Sequence, residues 1–254
     1  MSGHSKWAQI KRKKGVADVK KGAMFTRLGR EIAIAAREGG GDPNANFALR
    51  LAVEKARANN MPKENIERAI KRGTGELSEG GQLEEVMYEG YGPGGSALLV
   101  QVLTDNRNRA ASDVRHLFTR GGGNLAAANA VAWMFEKKGV ITIENVRNAE
   151  ELELELIDAG ADDFKLDGNV LEVYCAPEQL KTLREALEKR KIAFTSAELA
   201  WIAKTPAQVT DEQAVQTMKL MESLEEHDDV QKVYSNLDIT DAVMQKFEGA
   251  KEHA

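Results

Sequence analysis

The hydrophobic period of this chain changes once, across the Gly/Ser/Glu stretch from Gly73 to Gly81, and that change limits what the chain can fold into. Before it, apolar residues recur at helical spacing. At 100° per residue, Phe25, Leu28, Ile32 and Ala36 share one face, and Arg27, Arg30 and Arg37 share the opposite one. Gly39-Gly40-Gly41-Asp42-Pro43 ends this helix, because glycine accepts positive φ and Pro43 disfavours helix at Asp42. A second helix is expected from about Ala45 to Asn59, with Leu49, Ala52, Val53 and Ala56 inward. A third is expected over Lys63–Lys71, with Asn60 as its cap and Pro62 in its first turn. Residues 1–78 therefore read as a small helical bundle.

Beyond Gly81 the pattern is that of strands. Ser96–Thr104 is a nearly continuous apolar run, as in a central strand, followed by a helix through Val114, Leu117 and Phe118. After Glu136 the order is strand (139–143), helix (149–158), strand (162–166), strand (170–174), helix (178–189), strand (193–201). Leu152–Leu156 alternates like a strand, but Ala149, Leu152, Leu156 and Ala159 also share a helical face, and helix is preferred. The Asp167-Gly168 pair between two alternating runs is a hairpin signal. The resulting β-α-β-β-α-β order is that of a ferredoxin-like domain. A helix (211–226) and a strand (230–239) follow, and they can complete the sheet begun at Ser96. The expected architecture is α+β and multidomain. A bundle (1–78) precedes two interlaced α/β domains, one from 79–135 with 205–240 and one inserted at 136–204. Residues 241–254 read as a loose polar tail.

Charge follows the same division. The whole chain carries −5, yet residues 1–75 carry seventeen basic and seven acidic side chains, so residues 76–254 carry −15. Nine of the basic residues fall in the first thirty: Lys6, Lys11, Arg12, Lys13, Lys14, Lys20, Lys21, Arg27 and Arg30, against Asp18 alone. A cationic module on an acidic body points to a polyanion, and Lys and Arg bind phosphate backbones by releasing counterions. Trp7, beside Lys6, either stacks on an unpaired base or packs on the bundle. Arg107 and Arg109, at a strand-to-helix junction, are candidates for a second contact, with helix capping by Asp105 or Asn106 as the other reading. These twelve residues form the candidate nucleic-acid site.

Enzymatic constellations are thin. Tyr88–Gly95 is glycine-rich but lacks the Gly-Lys-Ser/Thr of a P-loop, so a tight turn is preferred to a phosphate cradle. The four histidines show no metal-ligand spacing. Cys175 follows an apolar strand with no charged activator beside it. Asp162-Asp163 and Asp228-Asp229 are acid pairs of the kind that bind Mg²⁺ or, more often, water. No cofactor, metal or catalytic residue is expected. No apolar run reaches the roughly twenty residues of a membrane span. The N-terminus lacks a secretory apolar stretch, and one cysteine fits a reducing compartment, so a cytoplasmic protein is expected.

Several motifs, in order, resemble the YebC family: Ser2-Gly-His-Ser-Lys-Trp7, Lys20-Lys21 before Phe25-Thr26, Gly39-Gly-Gly-Asp-Pro43 and Asn60-Met-Pro-Lys-Glu-Asn-Ile66. So do Tyr88-Glu-Gly-Tyr-Gly-Pro-Gly-Gly95, Thr104-Asp-Asn-Arg-Asn-Arg109 and Gly122-Gly-Asn-Leu125. That family includes the mitochondrial translational activator of cytochrome c oxidase. One departure is Leu125-Ala-Ala-Ala-Asn-Ala-Val131, where members usually carry glycines and a serine. The resemblance implies a helical N-terminal domain, two interlaced α/β domains, and one of two roles without catalysis. One role is binding to ribosomal RNA or tRNA in the ribosome, helping elongation through stretches such as consecutive prolines. The other is binding duplex DNA as a transcriptional regulator. The first is preferred, because the chain shows no legible recognition helix and its acidic body would repel a long duplex.

Overall fold

The computed structural model describes residues 6–7, 21–77, 83–146 and 149–252. Lys6 and Trp7 are helical. Three helices follow, α1 (Lys21–Gly39), α2 (Phe47–Ala58) and α3 (Lys63–Gly73). Next come strands β1 (Glu84–Tyr91) and β2 (Ala97–Thr104), helix α4 (Arg107–Arg120) and the short strand β3 (Asn124–Leu125). The middle of the chain runs β4 (Phe135–Ile143), α5 (Ala149–Asp158), β5 (Asp163–Asp167), β6 (Val170–Cys175), α6 (Leu180–Lys189) and β7 (Ser196–Ala203). It closes with α7 (Asp211–Glu225), β8 (Val230–Ser235) and α8 (Asp241–Glu252). Two compact units result: residues 135–202, and everything before and after them.

The bundle packs Leu28, Ile32 and Ala36 of α1 against Leu49, Val53 and Ala56 of α2 and Ile66 and Ala69 of α3. Asn46 fixes the turn between α1 and α2. Its side-chain oxygen accepts from Leu49 N at 3.1 Å, and its side-chain amide nitrogen donates to the carbonyls of Ala35 and Gly40 at 2.7 and 2.9 Å. α1 and α3 pack so closely that a Cβ on Gly73 would overlap the Ala33 carbonyl. Asn60 does not cap α3. It takes the left-handed conformation (φ +58°) after α2, turning the chain so that Met61 enters the core, and Pro62 holds the cap position without a side-chain bond.

In the same unit, four strands pair in the order β3-β1-β2-β8. β1 and β2 are antiparallel from Glu84↔Thr104 to Tyr91↔Ala97, so Tyr88–Tyr91 belongs to a strand and only Gly92–Gly95 forms the turn. β8 pairs with β2 after an intervening stretch that contains the whole second unit. Leu98, Val100, Val102 and Val233 on one face of the sheet join α4 (Val114, Phe118) and α7 (Met218, Met221, Leu224) in one core.

Residues 241–252 are not a loose tail. They form α8, whose Val243 and Phe247 are buried in that core. The segment is polar on average, but these two residues at i, i+4 make a stripe wide enough to dock, and the Thr240 hydroxyl accepts from Val243 N at 3.2 Å.

The second unit has the predicted β-α-β-β-α-β order and a sheet β5-β6-β4-β7. The first and third strands are central and the hairpin strand lies at the edge, as in a ferredoxin-like sheet. The hairpin falls where expected, but its turn lies one residue later than the Asp-Gly pair. Asp167 is the last paired residue of β5, opposite Val170, and the loop is Gly168-Asn169 with Gly168 at φ +61°, the two-residue form that has glycine at its first position.

Candidate nucleic-acid interface

The arginines of the basic face of α1 are engaged by the chain's own acceptors, with Arg27 and Arg30 half-buried and Arg37 still exposed. Arg27 donates to the Glu225 carbonyl, and Arg30 Nη1 donates to the Asp228 carbonyl at 2.6 Å. Arg30 also meets the Asp229 carboxylate at 2.8 Å, and Arg37 donates to the Leu83 carbonyl. The acceptors of Arg27 and Arg30 crowd the turn from α7 to β8, where Glu225-Glu226-His227-Asp228-Asp229 gathers four acids in five residues.

Asp229 is the centre of this arrangement. Its side chain is 4% exposed and takes Arg30 on Oδ1 and both Arg109 and the Thr104 hydroxyl on Oδ2, each of the latter at 2.9 Å. Its backbone is fixed too: Leu103 N donates to the Asp229 carbonyl at 2.8 Å, and Asp229 N donates to His227 Nδ1 at 3.2 Å. Burial pushes this carboxyl up, but the hydrogen bonds from Arg109 and Thr104 and the two guanidinium charges outweigh it and hold it below its ordinary value. In the sequence Asp229 looked like half of a solvated acid pair. Nothing local signals that two arginines converge on it from α1 and α4.

Lys6 and Trp7 are also turned inward. The Lys6 ammonium is 2.5 Å from Asp241 Oδ1, and the residue is buried. Trp7 is 6% exposed; its ring lies 6.1 Å from that of Phe247, and Nε1–H donates to Glu225 at 3.2 Å. Of its two readings, core packing is the one this geometry realises, and no face of the ring is left for a base. Asn106 caps α4, accepting from Arg109 N at 3.0 Å, while Arg107 is exposed and 3.7 Å from Glu84. Lys21 opens α1. Lys11, Arg12, Lys13, Lys14 and Lys20 lie outside the described residues.

Exposed cations remain on the bundle. Arg68, Lys71 and Arg72 stand at i, i+3, i+4 on the face of α3 opposite Ile66 and Ala69, and all three are exposed. Their side chains form no hydrogen bond or ion pair with the described residues, and the same holds for Arg57 on α2. Glu64 and Glu67 occupy the first half of α3, with Glu67 3.6 Å from Lys63, so the positive patch is confined to the last two turns.

The other candidates are structural. At Gly94 an added Cβ would lie 2.7 Å from Gln213 of α7, so the glycine turn approaches a helix of its own chain. Burial pushes the Cys175 thiol up to about 11, which leaves it un-ionised near neutrality. Among the described residues no group of three His, Cys, Asp or Glu side chains is arranged to hold a metal ion, and no helix is long and apolar enough to cross a membrane.

A basic helical module with exposed, unpaired cations on α2 and α3, in a chain whose remaining, acidic residues form two four-stranded sheets, is the class of protein that fold and surface define. Family models give it a more particular place: residues 5–76 match the TACO1/YebC protein N-terminal domain, and residues 83–237 match the TACO1/YebC second and third domain. The chain belongs to the TACO1/YebC family. It is 52% identical over 249 residues to a probable transcriptional regulatory protein of Natranaerobius thermophilus, covering 96% of this chain and 99% of that one. To the protein of the same description in Moorella thermoacetica it is 54% identical over 252 residues, covering 98% and 100%. The fold matches the crystal structure of a conserved hypothetical protein from Aquifex aeolicus with a TM-score of 0.80 and 46% identity, over 88% of this chain and 93% of that one.

Proposed function

We propose that this protein is a non-enzymatic, nucleic-acid-binding regulator of gene expression whose basic N-terminal module docks on RNA in the ribosome and assists elongation, for example through proline-rich stretches. The observation that carries it is the exposed set Arg68, Lys71 and Arg72, unpaired in the module that holds the chain's positive charge. Lys11, Arg12, Lys13, Lys14, Lys20 and Lys21 add to that charge, with Arg107 as an outlying contact. RNA is preferred to a long duplex because residues 76–254 carry −15 and would repel a polyanion lying across them. A phosphate surface met by the bundle end alone avoids that repulsion.

One observation favours a second reading, duplex DNA. α2 and α3 are joined by the four residues Asn59–Pro62, a helix-turn-helix spacing, and the cations lie on the second helix. The described relatives are named for transcription, which agrees with it.

Cosedimentation with purified ribosomes at near-physiological salt, with excess random or genomic duplex as competitor, separates the two. Retention despite both competitors is the expected result. Loss to genomic but not random duplex would overturn the ribosomal reading and restore an operator-binding regulator. A complex insensitive to salt would overturn both, since phosphate contacts must weaken as salt rises.

A further inference from the structure

We infer that Trp133 and Lys204 form a separate contact for one unpaired nucleotide, with the indole under the base and the ammonium near the phosphate. Trp133 is 68% exposed, and no other large apolar side chain among the described residues of its unit is exposed to a comparable degree. A tryptophan left in water is an informative exception, because burying its ring would be strongly favourable. Here the exposure is imposed by a loop that is held from several sides.

Glu89 of β1 holds it. Its buried carboxylate accepts from the backbone N–H groups of Asn129, Val131 and Ala132 at 2.6, 2.8 and 2.7 Å, and its carbonyl accepts from Ala126 N at 2.8 Å. Val131 is fully buried, while Asn129 sits at φ +66°. The Ala130 carbonyl receives both the Tyr91 hydroxyl (3.2 Å) and Trp133 Nε1–H (3.0 Å). That second bond ties the indole edge to its own loop, which limits the ring's freedom. On the far side, Lys204 N donates to the Met134 carbonyl and Lys204 Nζ to the Trp133 carbonyl, both at 2.9 Å. The loop Ala126–Ala130 is built of small residues, with nothing bulky to cover the ring.

A pre-positioned indole loses little entropy when a base stacks on it, and stacking tolerates any base. The exposed ammonium of Lys204, bonded to the residue that carries the ring, leaves donors for a phosphate. A protein partner would use the ring equally well but gives no role to the cation, so a single-stranded nucleic acid is the better match. The inference rests on the nucleic-acid reading above and adds an unpaired strand as the ligand at this place.

The test uses the full chain and two fluorescent probes, a short oligouridylate and the same ribose-phosphate chain without bases. Trp133→Ala should weaken the oligouridylate about tenfold, within the range for removing one stacked base, and leave the base-free probe unchanged. Trp133→Phe should keep most of the affinity, which excludes loss of the indole N–H bond as the cause. Lys204→Ala should weaken both probes. Wild-type affinity of Trp133→Ala for oligouridylate, while R68A/K71A/R72A weakens it, would overturn this inference and leave the proposed function standing. Failure of the wild-type chain to bind oligouridylate at all would overturn this inference; ribosome binding measured separately then decides the broader reading.

Discussion

The Arg30 guanidinium of α1 meets the Asp229 carboxylate at the start of β8 at 2.8 Å, in a site where the acid is 4% exposed and the arginine side chain 15%. The contact ties the basic bundle to the sheet within one compact unit. It also divides the cations of the chain into two kinds. Arg27, Arg30 and Arg109 are engaged by its own acidic turn, whereas Arg68, Lys71 and Arg72 are not.

Asp229→Asn should therefore destabilise the fold by about 3 kcal/mol at neutral pH, the scale for removing one member of a buried pair and leaving its partners uncompensated. Urea unfolding measures this. Because the folded carboxyl is held below its ordinary value, its contribution is present above the unfolded pKa and is lost as pH falls through the folded one. The gap between wild type and variant should be constant near neutrality and close below about pH 4. A gap that persists undiminished into strong acid would show that charge is not the source.

Glu89→Gln should loosen the loop that carries Trp133. An amide nitrogen cannot accept, so at least one of the three backbone donors loses its partner, at a cost of about 2 kcal/mol. Amide hydrogen exchange at Asn129, Val131 and Ala132 should speed up selectively, ahead of β2. Uniform change across the sheet would mean that Glu89 supports the unit and not the loop in particular.

What could be read from the sequence divides along physical lines. The βαββαβ unit was legible because its strands and helices are short, periodic and bounded by turn residues such as Gly160 and Gly168, although the hairpin turn uses Gly168-Asn169 and not the Asp167-Gly168 pair. β1 was missed because Glu84-Glu85 and Gly90 break its pattern. Gly90 is there because Phe118 fills the place of its Cβ, at 2.5 Å. The positive module was legible from composition, but the inward turn of Arg27, Arg30, Lys6 and Trp7 was not. A charge acquires its partner from the tertiary fold, and the acids that claim these groups lie some two hundred residues further along. The Ala-rich departure at 125–131 gave no hint that a buried glutamate would shape that loop.

Phe247→Ala tests the correction to the C-terminal segment. If α8 belongs to the core, the variant should lose about 3–5 kcal/mol, as for a fully buried phenylalanine. The emission of Trp7, whose ring is its neighbour, should shift to the red in the folded state. A near-neutral result would return residues 241–252 to the status of an accessory tail.

The two kinds of cation give the sharpest prediction about binding. Each phosphate met by a lysine or arginine adds about 0.7 to the steepness of log K against log salt on a single strand and about 0.9 on duplex DNA. Replacing Arg68, Lys71 and Arg72 together should thus flatten the slope by about 2 on single-stranded RNA if all three reach phosphates. Stability should barely change, since these side chains are exposed and unpaired. Replacing Arg30 should do the reverse, lowering stability while leaving the slope as it was, because its guanidinium is already held by Asp229 and the Asp228 carbonyl. A slope that falls with Arg30→Ala and not with the α3 variant would mean that the acidic turn releases α1 when nucleic acid binds, and would move the interface from α3 to α1.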